Sequence, residues 1–245
     1  MERAKYFIIS ILCVCWFSSI KADNKTEIYK AYIKNDMAKW KTIIDKMNSE
    51  KKKSNDFILE LINYQYGYIA WCIGNKKEDD AETYLELAEK NVEILEKQSY
   101  KISYVNSYKS ALYGFELGLA WYKAPFIGPK SVDCAEKAMK LDKANPYGFL
   151  QYANAQYYMP ETFGGSKTVA IDYYKKAQIL MEKNSDDIIS DWNYLSLLTI
   201  IANAYTETKK YTLAKEYYDK ILKIEPEFLW VKNELYPVIL KKIKK

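Results

Sequence analysis

The stretch from Leu195 to Pro226 constrains this chain more than any other. It carries Leu198, Ile201, Ala202 and Tyr205, then Ala214, Tyr218 and Ile221, and ends on Pro226. Spacings of three and four residues put these side chains on one face of each of two helices. Ala202 and Ala214 are small enough to let the two helices approach closely, and Tyr205 and Tyr218 fill the space beside them. Pro226 has no N–H and disfavours helical geometry at Glu225, so the second helix is predicted to stop there.

This order of small and large residues resembles the tetratricopeptide repeat, a helical hairpin of about 34 residues that stacks on copies of itself. One departure is Ile221, where that family usually has Ala. The resemblance implies an all-α, right-handed solenoid of antiparallel hairpins, with about 10–12 helices. It also implies that the eight signature residues build the fold and bind nothing.

The rest of the chain reads as helix almost throughout. Hairpins are expected at about 54–98, 100–143, 146–184 and 187–226, with a capping helix at about 227–244 kinked near Pro237. Two short helices separated at Asn35-Asp36 precede them. Ser54 starts a helix that Gly74-Asn75 ends, and the acidic run Glu78-Asp79-Asp80 suits the first turn of the next. Ser99 to Lys123 reads as one long helix, and Pro129 suits the first position of its successor. Asn145 and Pro146 open the helix that runs to Met159, and Ser166 opens the following one. Two turns echo each other, Pro125-Phe126-Ile127-Gly128 and Pro160-Glu161-Thr162-Phe163-Gly164-Gly165, and both are expected to be longer than a tight turn. The Gly-Gly pair suits a positive φ before a helix or the close approach of backbone to a ligand.

Residues 1–22 read as a secretory signal: Arg3 and Lys5, then an apolar run from Tyr6 to Ile20, with cleavage after Ala22. Lipid attachment at Cys13 or Cys15 is the less favoured alternative. Residues 23–245 then form the helical domain of an exported, periplasmic bacterial protein. Cys72 and Cys134 fall on helices that are not neighbours in such a stack, so both are expected as free, largely buried thiols.

There is no histidine in the chain. That removes the commonest general base and the commonest metal ligand. No phosphate loop and no Gly-x-Ser-x-Gly elbow occurs, and no carboxylate pair stands on an apolar background. Neither a catalytic residue, a metal site nor a cofactor is expected, and the chain is read as a non-enzyme. The formal net charge of +5 is too balanced to argue for nucleic acid. Membrane association is expected only through lipidation or the basic tail Lys241-Lys242-Ile243-Lys244-Lys245.

The oddity is tyrosine, with 24 residues. Tyr157-Tyr158, Tyr173-Tyr174 and Tyr217-Tyr218 are adjacent pairs, and neighbours on a helix point about 100° apart. One of each pair is expected in the core, leaving the other for a surface. The tetratricopeptide resemblance implies that a protein or peptide partner lies on the concave face of the first helices. In this sequence that face carries Tyr147, Asn154, Tyr157, Tyr158, Ser196, Thr199, Asn203 and Thr206. Asn154 and Asn203 resemble the asparagine of repeats that clamp a chain-terminal carboxylate. The companion lysine is replaced by Leu150 and Thr199, so no such clamp is expected. The leading expectation is an exported scaffold or adaptor. The alternative is a periplasmic solute-binding or transporter-associated helical protein, similar to the T components of tripartite transporters. A deep apolar pocket favours the second and an open polar groove the first.

Overall fold

The computed structural model describes residues 23–244, and among these the chain is helical with no strand. The signal segment, Ala22, Cys13 and Cys15 lie outside the described residues. Eleven α-helices follow one another: α1 (Asn24–Ile33), α2 (Met37–Ser49), α3 (Asn55–Gly74), α4 (Glu78–Lys97), α5 (Ile102–Leu119), α6 (Ala124–Leu141), α7 (Pro146–Tyr158), α8 (Lys167–Met181), α9 (Trp192–Glu207), α10 (Tyr211–Ile224) and α11 (Tyr236–Ile243). Helices α3/α4, α5/α6, α7/α8 and α9/α10 pack as pairs, and the first helices touch across pairs, α3 on α5 and α5 on α7.

The local signals account for most boundaries. Ser54, Asn145 and Ser166 each cap a helix by accepting a backbone N–H. Glu225 is extended before Pro226, and α10 ends at Ile224. All the signature residues but Pro226 are buried. Two expectations differ from what is seen. Helix α6 begins at Ala124, not at Pro129: Ala120 breaks α5, Trp121–Lys123 forms one 3-10 turn, and Pro125 occupies the first turn of α6. Pro129 therefore lies inside α6, where the unpaired carbonyl belongs to the exposed Pro125. The echo between Pro125 and Pro160 is thus one of sequence, since Pro160 stands in a true loop. The capping helix is also not uniform. Val231–Leu235 is a π-turn, with the Tyr236 N–H bonded to Val231 O, and it widens the backbone just ahead of Pro237.

Two apolar cores result. One belongs to α1–α5, the other to α7–α11 with Ile33. Between them the α5/α6 seam is small and polar: Ser103 Oγ donates to Ala138 O at 2.9 Å, and Ser131 Oγ to Ser110 O at 2.8 Å. Helix α1 spans the two cores. Tyr29 donates to Glu225 Oε2 at 2.9 Å, Tyr32 packs on Phe228, and α1 touches α9. Trp192, at the start of α9, lies in the first core with its ring centroid 4.9 Å from that of Trp40. Its Nε1 donates to Asn63 Oδ1 at 2.9 Å, and Asn63 Nδ2 donates to Asn193 Oδ1 at 2.9 Å. The ends of the stack are joined through these contacts. Cys72 on α3 and Cys134 on α6 are both free, and burial pushes the Cys72 thiol up to about 11, so it stays protonated at neutral pH.

Candidate functional site

The candidate site lies along α5 and α7, which pack against each other. Ser103, Ser107, Gly114 and Gly118 share one face of α5 by the 100° turn per residue. At the lower end this face is closed, because Asn145 Nδ2 donates to Ser103 Oγ at 2.8 Å and to Ser107 Oγ at 3.1 Å. Tyr147 of α7 meets Tyr104 and Tyr108 of α5, with ring centroids 5.8 and 5.9 Å apart. Three turns further up both helices, Tyr158 comes level with the stretch Phe115 to Leu119. There the face is open at Gly114 and covered at Gly118 by Ile73 of α3. No atom lies within 4 Å of where a Gly114 Cβ would stand, and the nearest to a Gly118 Cβ is Ile73 Cγ2 at 3.4 Å.

Exposed aromatic side chains follow this stretch in the chain and recur at the same place in the next hairpin. Trp121, Phe126, Tyr158 and Phe163 are 77–81 % exposed and Tyr122 is 67 % exposed. Trp121 and Tyr122 stand in the turn between α5 and α6, Phe126 in the first turn of α6, Tyr158 at the end of α7 and Phe163 in the turn after it. Both turns are held in place. Lys123 Nζ pairs with Glu116 at 2.7 Å and pins the Trp121–Lys123 turn to α5. Glu161–Phe163 is a 3-10 turn ended by Gly164 at φ +93°, a conformation that suits glycine. Gly165 lies against the Met159 carbonyl so closely that a Cβ would overlap it, and Ser166 N–H donates to Gln156 O at 2.9 Å. The Gly-Gly pair thus serves the turn that presents Phe163.

Below Tyr158, the same face of α7 carries Asn154, Gln151 and Tyr147. Tyr66 of α3 lies along α5, stacked on Phe115 at 5.4 Å, with its hydroxyl toward Gln151 and Asn154. Burial raises the pKa of Tyr66, so its phenol is neutral at physiological pH.

The eight residues expected to form a partner groove do not make one open face. Tyr147, Asn154 and Tyr158 line the region just described. Tyr157 is half-buried and directs its phenol at Glu207, which Lys167 pairs at 2.6 Å. Ser196 lies against Tyr32 of α1. Thr199 is buried and donates to Leu195 O, and Thr206 donates to Ala202 O. Asn203 accepts from Tyr218 at 2.6 Å, and Asn154 accepts from Tyr174 at 2.8 Å. The two asparagines are therefore one repeated device that locks first helix to second. Tyr174→Phe or Tyr218→Phe is expected to cost about 1 kcal/mol in urea unfolding; a change within error of zero would show that the lock contributes nothing. Among the tyrosine pairs, Tyr174 and Tyr218 are core and their neighbours half-buried, while Tyr158 is fully outside.

Sequence reasoning missed Gly114, Gly118, Trp121, Tyr122, Phe126 and Phe163 as a group. The available signal was that aromatic residues stand in both linking segments, where polar turn residues are the rule.

No family model matches the sequence, and no curated protein matches it. Among solved structures, the chain is similar to the HusA haemophore from Porphyromonas gingivalis, with a TM-score of 0.59 and 16% identity over 76% of this chain and 95% of that one. The likeness is one of fold. Almost the whole of that haemophore is covered by this helical arrangement. Among the described residues, no helix is long and apolar enough to cross a membrane, and no group of three or more His, Cys, Asp or Glu is set to hold a metal ion.

Proposed function

We propose that this protein is an exported helical binding protein that carries a flat, largely apolar ligand of the haem class at its aromatic end, without catalysing a reaction. The observation that carries this reading is the set of exposed aromatic side chains, Trp121, Tyr122, Phe126, Tyr158 and Phe163, at the ends of α5 and α7, together with the uncovered Gly114 on α5. A flat ring system can lie directly on helix backbone there, because no Cβ keeps it off. Each aromatic side chain adds about 0.5–1.5 kcal/mol of ring contact beyond the area buried. The fold likeness to a haemophore supports the ligand class. With no histidine in the chain, the commonest haem ligand is absent, and the aromatic side chains offer contact with the ligand's faces.

A second reading keeps the adaptor role. It is favoured by the buried signature residues of the last hairpin and by the repeated Asn–Tyr lock. In it the hairpins form a right-handed tetratricopeptide scaffold in the periplasm, and the aromatic end takes a protein segment.

Haemin titration followed by the Soret band separates the two. The carrier reading expects saturable binding that weakens at least tenfold in the double variant Trp121→Ala/Phe126→Ala, about 1.4 kcal/mol, with an unchanged helical circular dichroism spectrum. Haemin binding that ignores both substitutions would move the site elsewhere. Absence of haemin binding, together with specific protein capture from envelope extract, would favour the adaptor.

A further inference from the structure

The join between the two ends of the stack runs through one carboxylate. Asp191 caps α9, and its Oδ1 accepts from the Asn193 N–H and from Asn193 Nδ2, both at 2.9 Å. Asn193 exchanges hydrogen bonds with Asn63 of α3: Asn63 Nδ2 donates to Asn193 Oδ1 at 2.9 Å, and Asn193 Nδ2 donates to Asn63 Oδ1 at 3.2 Å. The Trp192 indole donates to the same Asn63 oxygen. Asp191 therefore orients the amide that ties α9 to α3. Both of its bonds fall on Oδ1, and among the described residues the carboxylate makes no ion pair, since Lys25 of α1 lies beyond pairing distance. Its surroundings are phenols: its charge reaches Tyr29 of α1, Tyr64 of α3, Tyr104 and Tyr108 of α5 and Tyr147 of α7. Partial burial disfavours the ionised carboxylate, and Asp187, in the segment before α9, adds like-charge repulsion. The Asn193 bonds and Lys25 offset only part of this, so Asp191 takes up a proton at a higher pH than an ordinary aspartate.

We propose that Asp191 is a proton-sensitive latch: ionised, it loosens the Asn63–Asn193–Trp192 join between the two cores, and protonated, it lets that join close tightly. The sign follows from linkage. A carboxylate that binds its proton more readily in the closed join than in the open one adds stability as pH falls toward the ordinary aspartate range, and that stability is lost as pH rises through its raised value. Asp56, Glu182, Glu207 and Asp219 act in the opposite sense, because their partners favour the ionised form and acid removes what they contribute. The latch does not depend on what the aromatic end binds.

Hydrogen exchange at the Trp192 indole N–H, followed by nuclear magnetic resonance on residues 23–245, reads the join directly. Asp191→Asn keeps a capping oxygen at similar volume and carries no charge. Taking the ratio of the two proteins at each pH cancels the intrinsic pH dependence of exchange, and the other carboxylates cancel with it. At about pH 7 the variant is expected to exchange about threefold or more slowly than wild type. The gap is expected to narrow by about pH 4.5, as wild-type Asp191 takes up its proton. Equal exchange of the two proteins at neutral pH overturns the inference, as does slower exchange in wild type. A gap as wide in acid as at neutral pH overturns it too, because a purely structural effect of the substitution would not follow the proton.

Discussion

Trp192→Ala is expected to destabilise the protein by about 3–5 kcal/mol, the usual range for removing a buried large aromatic side chain. The indole is buried and lies among Tyr32, Trp40 and Tyr66 at centroid distances of 5.7, 4.9 and 6.2 Å. Its loss leaves a cavity in the first core that those rings cannot all close. It also removes the donor to Asn63 Oδ1, although Asn193 Nδ2 still reaches that oxygen at 3.2 Å. The residue belongs by sequence to the last hairpin and by packing to the first core, so the loss loosens the join between the two ends of the stack. Urea unfolding followed by far-ultraviolet circular dichroism measures the effect. A cost below about 1 kcal/mol would mean that the join contributes little and that the two cores hold independently. Appearance of a second unfolding transition in the variant would show that Trp192 couples them.

Gly67→Ala carries the second large effect, and its sign opposes helix propensity. Alanine in a helix interior is normally favoured over glycine by about 1 kcal/mol. Here a Cβ at Gly67 would stand 2.6 Å from Trp40 Cζ2 and 2.7 Å from Trp192 Cη2. Both indoles are buried and both are pinned by hydrogen bonds, Trp40 Nε1 to Tyr64 O at 2.9 Å and Trp192 Nε1 to Asn63 Oδ1 at 2.9 Å. Neither ring can swing away freely, so overpacking is expected to cost about 1–3 kcal/mol net. Thermal or urea unfolding reads this directly, and a stabilised Gly67→Ala protein would refute it. The two substitutions share a site and are not expected to add. In the Trp192→Ala background the penalty of Gly67→Ala should fall, since only Trp40 then opposes the new methyl.

Gly67 illustrates what one sequence hides. Nothing in its neighbourhood separates it from a glycine tolerated by chance inside a helix. Its reason is two rings that arrive from residues 40 and 192, far away along the chain. The helical hairpins were legible because their causes are local. Ser54, Asn145 and Ser166 cap helices that begin beside them, Pro226 ends the helix just before it, and the three- and four-residue spacing of Ala214, Tyr218 and Ile221 selects the buried face. The start of α6 lies at Ala124 and not at Pro129 because two prolines suit the same role, and the exposed first turns tolerate the second one.

The candidate site was legible only in part. The sequence marks the linking segments at Phe126 and Phe163 as unusual, and it marks Tyr158 as the partner of a half-buried tyrosine. It does not show that Gly114 stays uncovered while Ile73 of α3 covers Gly118, because that depends on how α3 packs on α5. Nor does it show that Ser196 and Thr199, which occupy partner-facing places in the repeat, are covered or buried. Thr199 bonds its own helix, and α1 lies on Ser196.

The sequence by itself therefore determined an all-helical chain of paired helices, their main boundaries, and the absence of histidine chemistry. These follow from periodicity, caps and residue inventory, which act over a few positions. The tertiary structure alone decided the joining of the two ends through Trp192 and α1, and the Ile73 contact that covers Gly118 while Gly114 stays open. Each of these is set by side chains that meet from helices distant in the chain, and the geometry of such meetings is fixed only when the helices pack.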